Sequence, residues 1–257
     1  MMKKELQIFL TAVMFYTRIP CPSWVDHSEA HLNKATRYFP FIGWIVGGIS
    51  ALAFYVFTFI VSLPVALLLS TAISILLTGA FHEDGFADVC DGFGGGWTKQ
   101  KILDIMKDSR VGAYGVIGII LLLSVKIAAL YEIAIISTLL CCKVILMAHT
   151  CSRFAAIMLR KNLEYVREND DSKAKPIAKQ TSTKDYFIAL LFALAPLLLF
   201  KTLWIFLIFI PVCLLIFYLR YYFKKWIGGY TGDCLGATQQ LAEIVIYLAL
   251  ITLWKFI

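Results

Sequence analysis

Residues 38–81 read YFPFIGWIVGGISALAFYVFTFIVSLPVALLLSTAISILLTGAF, 44 consecutive positions without an Asp, Glu, Lys, Arg or His. A helix that crosses a bilayer needs about 20 apolar residues. The run therefore predicts a hairpin of two crossings, 39–61 and 63–81, turning near Ser62-Leu63-Pro64. The pattern continues outward. Residues 111–152 carry only Lys126, Glu132, Lys143 and His149, and divide into two spans with a turn around Tyr131-Glu132. Residues 186–219 hold one charge, Lys201, and split there into two shorter pieces; 235–254 form a last span interrupted only by Glu243. The expected fold is all-α, a polytopic integral membrane protein of about seven transmembrane helices in a single membrane-embedded domain over 1–257. Hydrophobic residues make up 60% of the chain, against about 45–50% in an ordinary soluble domain.

The N-terminal apolar stretch, 6–16, is too short to cross and ends at Tyr16-Thr17-Arg18 without a small-residue cleavage site. It is expected to stay in the mature protein as a short interfacial or re-entrant helix. Basic residues show the orientation. Of the 24 Lys and Arg, 20 fall in the N-terminal end and in the loops 18–38, 83–112, 152–184 and 220–234, all on one face of this topology. The positive-inside rule makes that face cytoplasmic. The net charge of +7 then reflects topology and anionic lipid rather than nucleic acid. Lys126 lies near the middle of its span, where an unpaired charge is costly, and is expected to face protein or a polar cavity; Lys143 either does the same or snorkels. Seven cysteines, with no C-x-x-C pair, argue against a disulfide framework on a reducing face. Cys90 stands among carboxylates, which disfavour a thiolate.

The apolar hairpin runs straight into His82-Glu-Asp-Gly-Phe-Ala-Asp-Val-Cys-Asp-Gly-Phe-Gly-Gly-Gly96. Glu83, Asp84, Asp88 and Asp91 sit together without a Lys or Arg, and on a helix Asp84, Asp88 and Asp91 share a face. Like charges on one face repel unless a cation joins them. Hard carboxylate oxygens in this pattern suit Mg²⁺ or Mn²⁺ shared with substrate phosphates; a solvated acidic loop is the competing reading. Asp104 and Asp108 are again one helical turn apart and could close a metal site, or form a polar helix end. Residues 228–237, Gly-Gly-Tyr-Thr-Gly-Asp-Cys-Leu-Gly-Ala, are Gly-rich and open a helix whose free N–H groups suit a phosphate, with Asp233 otherwise a simple N-cap. Arg18 and Arg37 sit beside prolines at the membrane surface, as headgroup anchors or ligand contacts.

Three of these segments resemble one family. His82-x-Asp-Gly-Phe-Ala-Asp88-x-x-Asp91-Gly, Ile105-Met-Lys-Asp108-Ser-Arg-x-Gly-Ala-Tyr-Gly and Gly229-x-Thr-Gly-Asp233-x-Leu-Gly-Ala look like cobalamin synthase, the adenosylcobinamide-GDP ribazoletransferase family. Phe15-Tyr-Thr-Arg-Ile-Pro and Phe39-Pro-Phe-Ile-Gly43 are similar too, so the likeness runs from about residue 10 to 245. It implies a Mg²⁺-dependent transferase that moves the cobinamide phosphate of adenosylcobinamide-GDP to α-ribazole or its 5′-phosphate, releasing GMP. It further implies Asp84, Asp88, Asp91 and Asp108 as metal ligands. Asp88, His82 and Asp233 become catalytic candidates, and Arg110, Arg153, Arg18 and Arg37 substrate-binding candidates. A CDP-alcohol phosphotransferase would have Arg after the Ala, where this chain has Asp88. A secondary transporter would place its ion site near the bilayer midplane. The 153–184 stretch reads as a solvated loop, with a lid over the site as the alternative, and the oligomeric state stays open.

Overall fold

The computed structural model describes residues 2–26, 28–167 and 182–255. Among them the chain is helical throughout, apart from one isolated bridge between Tyr165 and Tyr230. Helix α1 is Met2–Tyr16, α2 Glu29–Ala35, α3 Phe39–Phe57, α4 Leu63–Thr78, α5 Phe81–Gly95 and α6 Lys99–Ile105. Then follow α7 Ala113–Ile136, α8 Thr138–Arg160, α9 Thr183–Leu194, α10 Phe209–Ile227 and α11 Gly232–Trp254. Residues 168–181, the middle of the 153–184 stretch weighed as a lid, lie outside the described residues.

Five helical stretches are long and apolar enough to cross a membrane: Ala30–Phe57, Ala113–Ile136, Thr138–Arg160, Leu203–Ile227 and Gly232–Trp254. A sixth crossing needs α4 and α5 taken together across a 90° bend. The described residues thus hold five candidate crossings, or six with the bent pair, against the expected seven. The difference lies around Lys201, where 186–200 forms only the 12-residue α9 and a 3-10 turn, Ala195–Leu199, started by Pro196. The second hairpin also turns later than expected. Its break is Ser137, whose extended backbone ends α7 and whose hydroxyl caps α8 at Leu140 N; Tyr131 and Glu132 are exposed on α7 and continue the helix.

The membrane core is built on α3 against α8. A Cβ on Gly43 would lie 2.5 Å from His149 O and 2.6 Å from Thr150 Cα, and one on Gly47 3.1 Å from Leu146 Cα. Small residues four apart let two helix backbones touch, the packing available where lipid removes the hydrophobic drive between helices. Phe54, Leu67, Leu130, Val144, Met147 and Tyr247 fill the layer between α3, α4, α7, α8 and α11. At the basic end, α1 packs on the starts of α3 and the end of α8 through Ile8, Ala12, Tyr16, Phe39, Ile42 and Ile157. Arg37 staples this end together, bonding Glu5 of α1 at 2.6 Å and Asp185 of α9 at 3.1 Å.

Candidate active site

Helix α5 is the crossbar on which the site is built. After α4, Gly79 and Ala80 take left-handed conformations (φ 66° and 58°), which turn the chain by 90°. Gly85 then lies so close to α11 that a Cβ there would stand 3.0 Å from Asp233 Cα. Further along, Asp91 reaches the start of α7, accepting Gly112 N at 2.7 Å and Gly115 N at 2.8 Å. At the other end His82 stacks on Phe39 at the head of α3, with ring centroids 5.7 Å apart and planes within 13°. Glu83, buried, accepts a 2.8 Å bond from Gln240 of α11. One helix thus joins the starts of α3, α7 and α11.

The periodicity read from sequence holds: Asp84, Asp88 and Asp91 lie on one helix, Asp84 exposed, Asp88 half-buried and Asp91 buried. Asp88 is repelled by Asp233, Asp84 and Asp91 and attracted by Arg167. Asp233, at the first turn of α11, accepts Arg167 Nη2 at 2.6 Å and the Thr231 hydroxyl at 3.2 Å; Thr231, not Asp233, is the N-cap, taking Cys234 N. Arg167 also donates to Met106 O at 3.0 Å. Sequence reasoning passed over Arg167, because a lone basic residue in a basic loop carries no signal until the loop is seen folded against Asp233. Asp233 thus pairs with Arg167, which also attracts Asp88, and Asp84 lies near enough to both carboxylates to repel them, while both oxygens of Asp91 are engaged by backbone.

Asp108 stands apart from that group. Helix α6 ends at Ile105, so Asp104 and Asp108 do not share a helix as expected: the Lys107-Asp108 turn follows a helix of only 7 residues. Asp104 pairs with Gln100, and Asp108 is held by Arg110 through Nε and Nη2, the latter at 2.7 Å. That guanidinium holds the exposed Asp108 carboxyl down to about 2. Among the described residues, no three His, Cys, Asp or Glu side chains are gathered closely enough to hold a metal ion by themselves.

The other candidate arginines divide sharply. Arg110 is exposed. Arg18 is exposed, its backbone N bonded to Leu77 O and its side chain against Gly79 at the α4–α5 bend. Arg37 is the buried staple described above. Arg153, expected just past the fourth span, instead lies inside α8, because that helix continues to Arg160; it is 1% exposed, donates to His149 O at 2.7 Å and stands over the Phe39 ring.

Beneath the crossbar lies a second polar centre. Glu243 of α11 accepts Lys126 of α7 at 2.7 Å, Tyr247 at 2.8 Å and Gln239 at 2.9 Å, with His149 of α8 at 3.6 Å. Gln239 also bonds Ser152. Lys126 does face protein, as expected, and its partner is the one charge that interrupts the last span. A small cavity of about 10 Å³ beside them is lined by Ser50, Ser70, Thr71, Ser74, Lys126, His149 and Tyr247.

Comparison with known proteins places this arrangement. The family model described as cobalamin-5-phosphate synthase matches residues 8–251. A Shewanella frigidimarina protein named adenosylcobinamide-GDP ribazoletransferase is 44% identical, over 96% of this chain and 95% of its own. Proteins of the same name from Leptospira interrogans and Vibrio cholerae are 41% and 44% identical, over 100% and 97% of this chain and 99% and 95% of theirs. No solved structure matches. With nearly its whole length aligned, including α5, the α6–α7 turn and the head of α11, the chain belongs to the cobalamin-5-phosphate synthase family, CobS.

Proposed function

We propose that this protein is an adenosylcobinamide-GDP ribazoletransferase. A hydroxyl of α-ribazole, or of its 5′-phosphate, attacks the phosphorus linked to cobinamide; the P–O–P bond breaks, GMP leaves with the bridging oxygen, and adenosylcobalamin or its 5′-phosphate forms. The observation that carries this reading is the exposed acidic face of α5 meeting the head of α11, in a chain whose family and relatives share that name. The CDP-alcohol phosphotransferase and transporter readings yield to it.

The donor set fits Mg²⁺, which takes one or two carboxylates, several waters and substrate phosphates rather than an all-protein cage. Asp84 and Asp88, one turn apart, would hold it with Asp233 beside them, and when bound it supplies charge neutralisation on the pyrophosphate oxygens. Asp91 and Asp108 serve that role less directly: Asp91 fixes the angle between α5 and α7, and Asp108 holds Arg110 on the exposed turn. Asp88, half-buried and crowded by carboxylates, is suited to hold the proton of the attacking hydroxyl. Arg167 is suited to a phosphate oxygen. The basic loops support an active site on the cytoplasmic side of a bacterial inner membrane.

The test is an assay of detergent-purified protein with adenosylcobinamide-GDP and α-ribazole phosphate, following cobamide and GMP with Mg²⁺ and with EDTA. Metal-dependent formation of both products is expected, and Asp84→Asn should abolish it in protein that still purifies folded. Full turnover by Asp84→Asn at low Mg²⁺ contradicts the metal assignment; no product from folded wild type contradicts the reaction.

A further inference from the structure

At the start of α5, a cleft with about 40 Å³ of room opens between α1, α3, α5, α8 and α11. Its walls are largely aromatic: Phe15, Tyr16, Phe39 and Phe81. Tyr16, Phe39 and His82 form one near-parallel column, with centroids 4.1 Å and 5.7 Å apart and planes within 22° and 13°; Phe81 closes it edge-on. His82 is 2% exposed, yet its Nε2 has no hydrogen-bond partner among the described residues. A buried polar atom without a partner is costly and uncommon. The rest of the cleft joins chemistry to it. Arg160 lines it from the end of α8, and Gly232 and Gly236 line it from the first turns of α11, on either side of Asp233.

We propose that this cleft seats the flat nitrogen heterocycle of a nucleotide substrate, whose edge is hydrogen-bonded by His82 Nε2 while its sugar and phosphate lead past the head of α11 to Asp84, Asp88 and Asp233. The inference rests on the proposed transfer and assigns its base-recognition site. Aromatic walls offer stacking to a planar ring, and one buried polar atom fixes its orientation. Phe81, 40% exposed, stands at the mouth, packed edge-on against Phe15, Tyr16 and His82. Two rings in the reaction share this chemistry, the base of α-ribazole and the guanine of the GDP donor. His82 is on this reading a binding residue, separate from proton transfer at the acidic face.

Calorimetric titration of the full-length, detergent-solubilised protein in Mg²⁺ buffer with α-ribazole, and separately with GMP, tests it. His82→Ala and Ala156→Leu, which fills the cleft wall, should each weaken one of the two ligands about tenfold or more, the scale of losing a buried polar contact, and leave the other within about twofold. Loss of α-ribazole identifies the acceptor base as occupant; loss of GMP identifies guanine. Phe81→Ala, at the exposed mouth, keeps the test available if His82→Ala fails to fold. Wild-type affinity for both ligands in folded variants overturns the proposal, as does the absence of binding of either ligand to wild type. The transfer reaction stands or falls separately, on product formation by the wild type, so the two failures are distinguishable.

Discussion

Replacing Lys126 with Met removes the one cation bonded to Glu243 and keeps the volume of the side chain. The pair is 2.7 Å apart, with Lys126 2% and Glu243 0% exposed. At that separation an effective dielectric of about 20 gives a gross attraction of about 6 kcal/mol, most of it offset by desolvation of both ions. Removing one partner leaves the other ion buried, which costs about 3–5 kcal/mol. Tyr247 and Gln239 remain on the carboxylate, and two bonds to neutral donors do not neutralise it. Lys126→Met is therefore expected to lower stability by about 3–5 kcal/mol. Glu243→Gln should cost a similar amount by stranding Lys126, and the double variant, which strands neither ion, should cost far less than the sum. Unfolding in a titration of SDS against dodecylmaltoside, followed by circular dichroism, measures all three. A single Lys126→Met variant within about 1 kcal/mol of wild type, the size of an exposed pair, refutes the argument, and so does strict additivity.

Two further substitutions probe the scaffold. Asp91→Ala withdraws the acceptor of Gly112 and Gly115 N; losing such a cap is expected to cost about 1–2 kcal/mol and about 2–8 °C in Tm, with the Mg²⁺ concentration needed for half-maximal turnover unchanged. A shifted Mg²⁺ requirement at unchanged Tm would make Asp91 a ligand instead. Gly43→Leu drives a side chain into the α8 backbone and should abolish recovery of folded protein, while Gly48→Leu, five residues on, meets open space and should purify normally; comparable yields on size-exclusion chromatography would refute the close approach of α3 and α8.

The membrane fold was legible because 38–81 has no charge to interrupt it, and hydropathy needs no knowledge of partners. The crossings were harder to number. Pro196 and Lys201 break 186–208 into short helical pieces, and a window of apolar residues does not distinguish a crossing from a partial one. The helix at 81–95 was legible only in part: 83–112 reads as a loop between spans, and the 3.6-residue period says only that on a helix Asp84, Asp88 and Asp91 would share a face. What the period could not supply was which of these oxygens the protein itself uses. Asp91 is spent on the head of α7, a contact 21 residues away in the chain. Arg153 was misplaced because α8 extends two turns past the apolar run, and Phe39 with His149 gives the guanidinium a buried place that hydropathy does not foresee. Lys126 and Glu243 were each visible as interruptions; their pairing depends on the rotation of α7 against α11, which no single sequence states.

These placements explain how one short helix keeps its carboxylates in a fixed arrangement. A cluster of carboxylates repels itself, so its geometry has to be fixed from outside. The fixing groups all lie on the buried side of α5 or at its ends: the His82 stack on Phe39, the Glu83 bond to Gln240, Gly85 against Asp233 and the Asp91 cap on α7. Each anchors α5 to a helix that descends into the membrane, and α7 and α11 are themselves tied below by Lys126 and Glu243. Asp84 and Asp88 are left facing outward on a helix whose position is set at four points, with Asp233 brought beside them by the same α11. Rigid support from the neighbouring helices is what lets a group of like charges hold its arrangement.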